Sequence, residues 1–203
     1  MKPPAGMEPF FEKFKRLCRV MDEKYHEAAQ ASGFECQGCR DNCCMTHFYH
    51  HTFLEYFYLI QGYDRLDDET RRLVLKKAVD ARQKAEAFEN EKKDARPRIM
   101  CPVNIEGRCA LYERRPMICR LHGVACEMRR GPRVLKGPGC GEFDVQSKES
   151  KGGKHAVLDR TPLYMEMARL EKSVRQSFGL PSKIKMTVAE MIAGHKDPAG
   201  DSP

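Results

Sequence analysis

The sequence contains no uninterrupted apolar run of about 18 residues, so no segment reads as a membrane span. Its opening, Met1-Lys2-Pro3-Pro4-Ala5-Gly6, leads into a charged amphipathic stretch and carries no apolar signal-peptide core. Period-two alternation is scarce, which argues against a sheet-dominated fold. There is no internal repeat. No glycine-rich strand–turn–helix signature offers a cofactor pocket of the usual kind. Neither a nucleophile–base pair nor a carboxylate pair stands out as a catalytic constellation. These absences predict a cytoplasmic chain with no membrane partner, and they assign it no reaction.

Cysteine is what the chain has in quantity. Of its ten cysteines, Cys36, Cys39, Cys43 and Cys44 form one block and Cys101, Cys109, Cys119, Cys126 and Cys140 a second. At 203 residues, with 41% hydrophobic residues, the chain does not need staples merely to fold. A chain of this size buries roughly 70% of its unfolded surface. In a reducing compartment, clustered thiols favour metal or redox chemistry over disulfides. The formal charge of +7 counts every cysteine as neutral. Two four-thiolate sites, each about −2 with a bound dication, would lower it to about +3. Part of the basic excess then reads as compensation for thiolates, which weakens a nucleic-acid reading.

Apolar periodicity predicts a helix over residues 7–31, on Met7, Phe10, Phe14, Leu17, Met21, Tyr25 and Ala28, stopped by Gly33. Cys18 lies on that apolar face and reads as a core thiol. Thr52-Phe53-Leu54-Glu55 is a capping box before a short helix ended by Gly62. A long helix is predicted from Asp67 to about Lys93, on Val74, Ala78, Ala85 and Phe88, broken by Arg96-Pro97. Residues 101–141 read as irregular, with one short helix over 116–121. Residues 145–158 read as a loop. Thr161-Pro162 is expected to cap a further helix stopped by Gly179, and Thr187-Val188-Ala189-Glu190 is a second capping box. The predicted fold is mostly α: a single domain over 1–194 of amphipathic helices around an irregular cysteine-rich metal-binding centre, with the motif core at 34–141 and a disordered tail at 195–203.

Two cysteines separated by two residues can curl around one ion, so Cys36 and Cys39 form a natural chelate pair. Adjacent side chains point apart, so Cys43 and Cys44 either bind two different centres, or one ligates while the other lines the site. Cys140, in Gly137-Pro138-Gly139-Cys140-Gly141, is a ninth ligand or a solvent-facing thiol. His47, His50 and His51 are weighed as ligands against capping the helix opened by Thr52 or facing solvent. Arg129, Arg130, Arg133 and Lys136 read as a solvated loop or local counter-charge, without the interleaved aromatics that single-stranded nucleic acid favours.

The stretch Cys101-Pro102 … Gly107-Arg108-Cys109 … Tyr112-Glu113-Arg114-Arg115-Pro116-Met117-Ile118-Cys119-Arg120 resembles the second motif of the YkgJ-type cysteine-cluster proteins. These are also called the CxxCxxCC, or zinc- or iron-chelating, family. Both of the family's motifs are present in order, over roughly residues 34–126. One departure is the spacer Arg40-Asp41-Asn42, which is three residues where the family name implies two. The resemblance implies metal chelation by Cys36, Cys39, Cys43, Cys44, Cys101, Cys109, Cys119 and Cys126, as an iron–sulfur cluster, slightly favoured, or as zinc. A redox or electron-transfer role, a zinc-stabilised module that engages a protein partner, or a methylase of the flagellin-lysine type would each be consistent with it. The cysteine spacers run two then three, the reverse of a radical S-adenosylmethionine site, and that reading is set aside.

Further expectations concern the residues around the cysteines. Arg115 and Arg120 flank Cys119 and are expected to neutralise thiolate charge, with Glu113 pairing one of them. Pro116 fixes the start of the turn carrying Cys119, and Gly107 permits close backbone approach near Cys109. Phe48, Tyr49, Phe53, Tyr56, Phe57 and Tyr58 are expected to keep water from the site. The two blocks are expected to close together, with Cys101, Cys109 and Cys119 completing what Cys36 and Cys39 begin.

Overall fold

A computed structural model describes residues 1–36, 43–91, 97–151 and 155–195. The predicted sites at Cys39 and Arg96 and the tail beyond His195 lie outside the described residues. The fold is mostly α, as the periodicity predicts. Its helices are α1 (Glu8–Ala31), α2 (Phe53–Tyr63), α3 (Asp68–Glu91), α4 (Met117–Leu121), α5 (Gly141–Lys151), α6 (Thr161–Phe178) and α7 (Val188–Ala193). Among the described residues five short strands accompany them: β1 (Asn104–Ile105), β2 (Arg108–Cys109), β3 (Cys126–Arg130), β4 (Arg133–Gly137) and β5 (Leu158–Asp159). The chain divides into two compact units. The first takes residues 1–7, 44–116 and 175–203, and the second takes 8–43 and 117–174. The boundary falls between Cys43 and Cys44.

The first unit is built around α2, which is buried on nearly all sides. Leu54, Tyr56, Phe57, Leu59, Ile60 and Tyr63 are at most 2% exposed. Each such side chain contributes about 1.5–3 kcal/mol by leaving water. Thr52 caps the helix, accepting the Glu55 N–H at 3.2 Å while its hydroxyl donates to the Glu55 carboxylate at 2.6 Å. The helix runs through Gly62 rather than stopping there. The glycine serves a close approach instead, since a Cβ at this position would lie 2.5 Å from Arg114 Cγ. Arg114 lies over the Tyr58 ring at 4.2 Å and donates to Gln61 at 2.9 Å, so it ties the Tyr112–Pro116 motif to α2. Val74, Ala78 and Ala81 of α3 are buried, whereas Ala85 and Phe88 are half-buried. The second capping box is complete at Thr187 and Glu190. His195 is buried with its Nε2 2.9 Å from Asp64 Oδ1. His195, the first residue of the segment predicted as a disordered tail, is therefore packed against the fold.

In the second unit α1 buries Phe11, Phe14, Leu17, Cys18 and Met21. Cys18 is the core thiol the periodicity predicts. Gly33, with φ +64°, ends the helix, and the Phe34 N–H turns back to the Ala29 carbonyl at 2.9 Å. Residues 145–158, expected to be a loop, hold most of α5. Among its described side chains this helix buries only Phe143 and Ser147 fully, too few to set a visible period. The α6 cap also differs from expectation: Asp159 Oδ1 accepts the Thr161 N–H at 2.8 Å, while Thr161 Oγ1 accepts the Arg129 N–H at 2.9 Å.

Residues 126–137 form a hairpin of β3 and β4, with β5 parallel to β3 on its other side, in place of the irregular loop expected there. Gly131, at φ +56°, supplies the left-handed turn of a two-residue connection. In the first unit, β1 and β2 pair across a turn in which Glu106 and Gly107 both have positive φ, 49° and 82°. That turn is what Gly107 serves. A Cβ there would meet nothing within 4 Å, so close backbone approach is not its role.

Candidate functional site

The first unit brings Cys44, Cys101 and Cys109 together. The Cys101 N–H donates to the Cys44 carbonyl at 2.8 Å, joining the two blocks across the intervening helices. The Cys101 carbonyl then accepts the Asn104 N–H at 3.0 Å, which starts the tight β1–β2 hairpin, and Cys109 stands opposite Asn104 in it. Burial pushes the Cys101 thiol up to about 12, and the neighbouring Cys44 and Cys109 add to this. The Val103 N–H and Lys77 oppose the shift. Lys77, on α3, donates to the Asn104 carbonyl and so sits beside the hairpin. The sequence reading missed this lysine. Its only signal is its place one turn beyond Val74, beside the buried stripe.

The second unit gathers Cys36, Cys43 and Cys140 around the Tyr25 hydroxyl. Tyr25 is raised well above its ordinary value by burial first, then by Cys36 and Cys140, by its hydrogen bond to Cys36, and by Cys43. The sequence reading took Tyr25 only as an apolar position of α1 and missed its polar tip. Backbone geometry holds the group. The Cys140 N–H donates to the Gly123 carbonyl at 2.8 Å, and a Cβ on Gly123 would lie 2.8 Å from the Tyr25 oxygen. The Cys140 sulfur accepts the Phe143 N–H at 3.4 Å and so caps α5. Gln146 of α5 accepts the Glu35 N–H at 2.9 Å and donates to its carbonyl at 3.2 Å, which fixes the chain just before Cys36. Phe34 meets Phe143 edge to face at 5.3 Å.

Cys119 lies on α4, and Cys126 opens β3 opposite Gly137. A Cβ at Gly137 would stand 2.9 Å from the Cys126 sulfur, so that glycine leaves the thiol its space. The double cysteine occupies a single 3-10 turn, Cys43–Met45, and its members take different neighbours: Cys43 in the second unit, Cys44 in the first.

The expected supporting residues have partners of their own. Arg120, only 3% exposed, donates to Asp22 at 2.5 Å, so a carboxylate shares its charge. Replacing Asp22, itself 45% exposed, with asparagine is expected to cost about 1–2 kcal/mol in urea unfolding, because the nearly buried Arg120 guanidinium then loses a carboxylate partner. Arg115 stacks on Tyr112 at 3.6 Å and donates to its carbonyl at 3.0 Å. Phe53, Tyr56, Phe57 and Tyr58 are buried, whereas Phe48 and Tyr49 are half-buried. His50 is buried in a two-bond bridge with Met186, at 2.8 and 3.0 Å, and His51 is exposed. His47 packs edge to face on Tyr49 at 4.9 Å.

The donor chemistry, Cys44, Cys101 and Cys109 in the first unit and Cys36, Cys43 and Cys140 near Tyr25 in the second, suits a soft or borderline metal. Among the described residues, no three His, Cys, Asp or Glu side chains converge as a ready-made ion cage. No described helix is long and apolar enough to cross a membrane. Compared with protein-family models, curated proteins and solved structures, the chain matches none.

Proposed function

We propose that this chain is a metal-binding protein that holds iron, as an iron–sulfur cluster, or zinc through its clustered cysteine thiolates. The observation that carries this reading is the bond from Cys101 to Cys44, which draws thiols from two distant blocks into one half-buried neighbourhood with Cys109. Thiols whose burial and mutual proximity oppose ionisation gain most from a cation that shares their charge. Cys44, Cys101 and Cys109 would hold the metal in the first unit, with Lys77 offsetting the negative charge of the thiolates. The resemblance of the two cysteine motifs to the YkgJ-type proteins supports the same reading. A bound iron–sulfur cluster would supply one-electron redox chemistry, whereas zinc would supply a structural cross-link. The partial burial of Cys101 favours the cluster, whose potential and lifetime depend on exclusion of water.

The test is anaerobic purification followed by an absorption spectrum and analysis for iron, sulfide and zinc. Visible colour with matching iron and sulfide is the expected result, and Cys101→Ser is expected to lower the bound metal sharply. A colourless protein that carries zinc and unfolds on chelation would move the reading to a zinc-stabilised module. Less than one metal per chain with every thiol free would overturn both.

A further inference from the structure

Cys126 opens β3, but β4, Arg133–Gly137, carries no cysteine and is one part of the molecule that the thiol chemistry does not use. β4 is the outer strand of its sheet, in the order β4-β3-β5. The register pairs Arg130 with Arg133 next to the turn, and Met128 with Leu135. On the far side of β3, the Glu127 carbonyl and the Arg129 N–H are used by Arg160 and Thr161. Alternation therefore turns the backbone groups of Arg133 and Leu135 inward to β3, and those of Val134 and Lys136 outward. No strand lies beyond them among the described residues.

The side chains on this edge have a consistent character. Val134 and Leu135 are 47% and 48% exposed, between exposed Arg133 and Lys136. Arg129 is held by Glu127 at 3.3 Å, the only carboxylate on the hairpin. Among the described residues, Arg130, Arg133 and Lys136 form no ion pair. Charge alone would guard an open edge against aggregation. Two adjacent exposed aliphatic residues do the opposite, and they sit between the cations.

We propose that the outer edge of β4 is a docking edge for an extended acidic peptide. An added strand would bond to the outward N–H and C=O groups of Val134 and Lys136. Opposite Arg133, Val134, Leu135 and Lys136 it would present an acidic, two aliphatic and an acidic residue. A second copy of β4 is disfavoured, because it would bring cations against cations. Single-stranded RNA is disfavoured because residues 126–137 contain no aromatic side chain on which bases stack.

The experiment uses the full chain and a fluorescein-labelled peptide with the core Glu-Val-Ile-Glu, read by fluorescence anisotropy. Saturable binding that weakens with salt is expected. Val134→Pro removes one outward N–H without touching the β3–β4 ladder, and is expected to weaken binding roughly tenfold or more. The double variant Arg133→Glu with Lys136→Glu is expected to reject this peptide and accept one with the core Lys-Val-Ile-Lys. Circular dichroism checks that each variant is folded, and if Val134→Pro is not, the charge-reversed pair decides alone. The proposal is overturned if the wild-type chain shows no saturable binding or if a folded Val134→Pro binds unchanged. It is also overturned by polyuridine RNA outcompeting the peptide, or by concentration-dependent self-association that Val134→Pro abolishes.

Discussion

Replacing Gly139 with alanine is expected to destabilise the protein by about 3–5 kcal/mol. Two effects add. Gly139 has φ +90°, where an L side chain is strained. Its new Cβ would also lie 2.7 Å from Phe143 Cδ1, 2.8 Å from the Gly123 carbonyl oxygen and 3.1 Å from the Ala125 nitrogen. Two of these neighbours are backbone atoms that no rotamer change can move. The Gly123 carbonyl is also the acceptor of the Cys140 N–H, so relief of the clash would unseat Cys140. Gly131→Ala is the control. Its φ is +56°, but nothing lies within 4 Å of the added Cβ. That variant is expected to cost about 1 kcal/mol from backbone strain alone. Urea unfolding of both variants measures the difference, and alkylation of Cys140 reads the local change. Equal effects at the two positions would mean that the packing at Gly139 is not tight.

The long amphipathic helices were legible because each buries one stripe at helical spacing. In α1, Phe14, Leu17 and Met21 recur on the buried face, and Gly33 ends the helix as its conformation requires. The two threonine caps were legible because the capping residues act on their own backbone. Elements whose stability comes from distant partners were not. α5 is held by Phe143 on Phe34 and by Gln146 on the Glu35 backbone, contacts that leave no period in its own sequence. The β3–β4 hairpin shows no alternation because β4 is exposed along almost its whole length. At the cysteines, composition announced thiol chemistry but not partnership. Gly62, read from sequence as a helix stop, proved to be a spacer for Arg114, and Gly137, assigned no role from sequence, makes room for the Cys126 sulfur.

The divergence of Cys43 and Cys44 was legible from adjacency alone, but the choice of neighbours depended on chain reversals that adjacency does not encode. Cys44 meets Cys101 because the Cys101 N–H needs an acceptor, and Cys109 follows because a two-residue turn reverses the chain after Ile105. Cys140 meets Cys36 because α5 begins at one and is clamped beside the other. The basic side chains tell the same story from the opposite side. Arg120 was read beside Cys119, and adjacency gave no sign of Asp22 of α1, the carboxylate it pairs with. Proximity in sequence is a poor guide to electrostatic partnership when a helix intervenes, because residues one apart on a helix face different neighbours.

Acidification from pH 7 to 4.5 is expected to remove about 2.5 kcal/mol of stability through His50 alone. His50 is 3% exposed, and its backbone is bonded to Met186 in both directions. Burial, with a smaller contribution from His51, lowers its imidazole from 6.5 to about 4. The folded state therefore keeps it neutral where the unfolded chain has already bound a proton. Between these two values the unfolded state holds the extra proton, so stability falls as pH falls through that window and is fully present above it. His50→Leu removes the titrating group while keeping an apolar side chain of similar reach. Carboxylates and thiolates titrate in both proteins, so the difference between their urea midpoints at pH 7 and at pH 4.5 isolates His50. The variant is expected to lose about 2.5 kcal/mol less than the wild type over this interval. Equal losses would show that His50 is as accessible to protons in the folded protein as in the unfolded chain, and that the Met186 bridge opens readily.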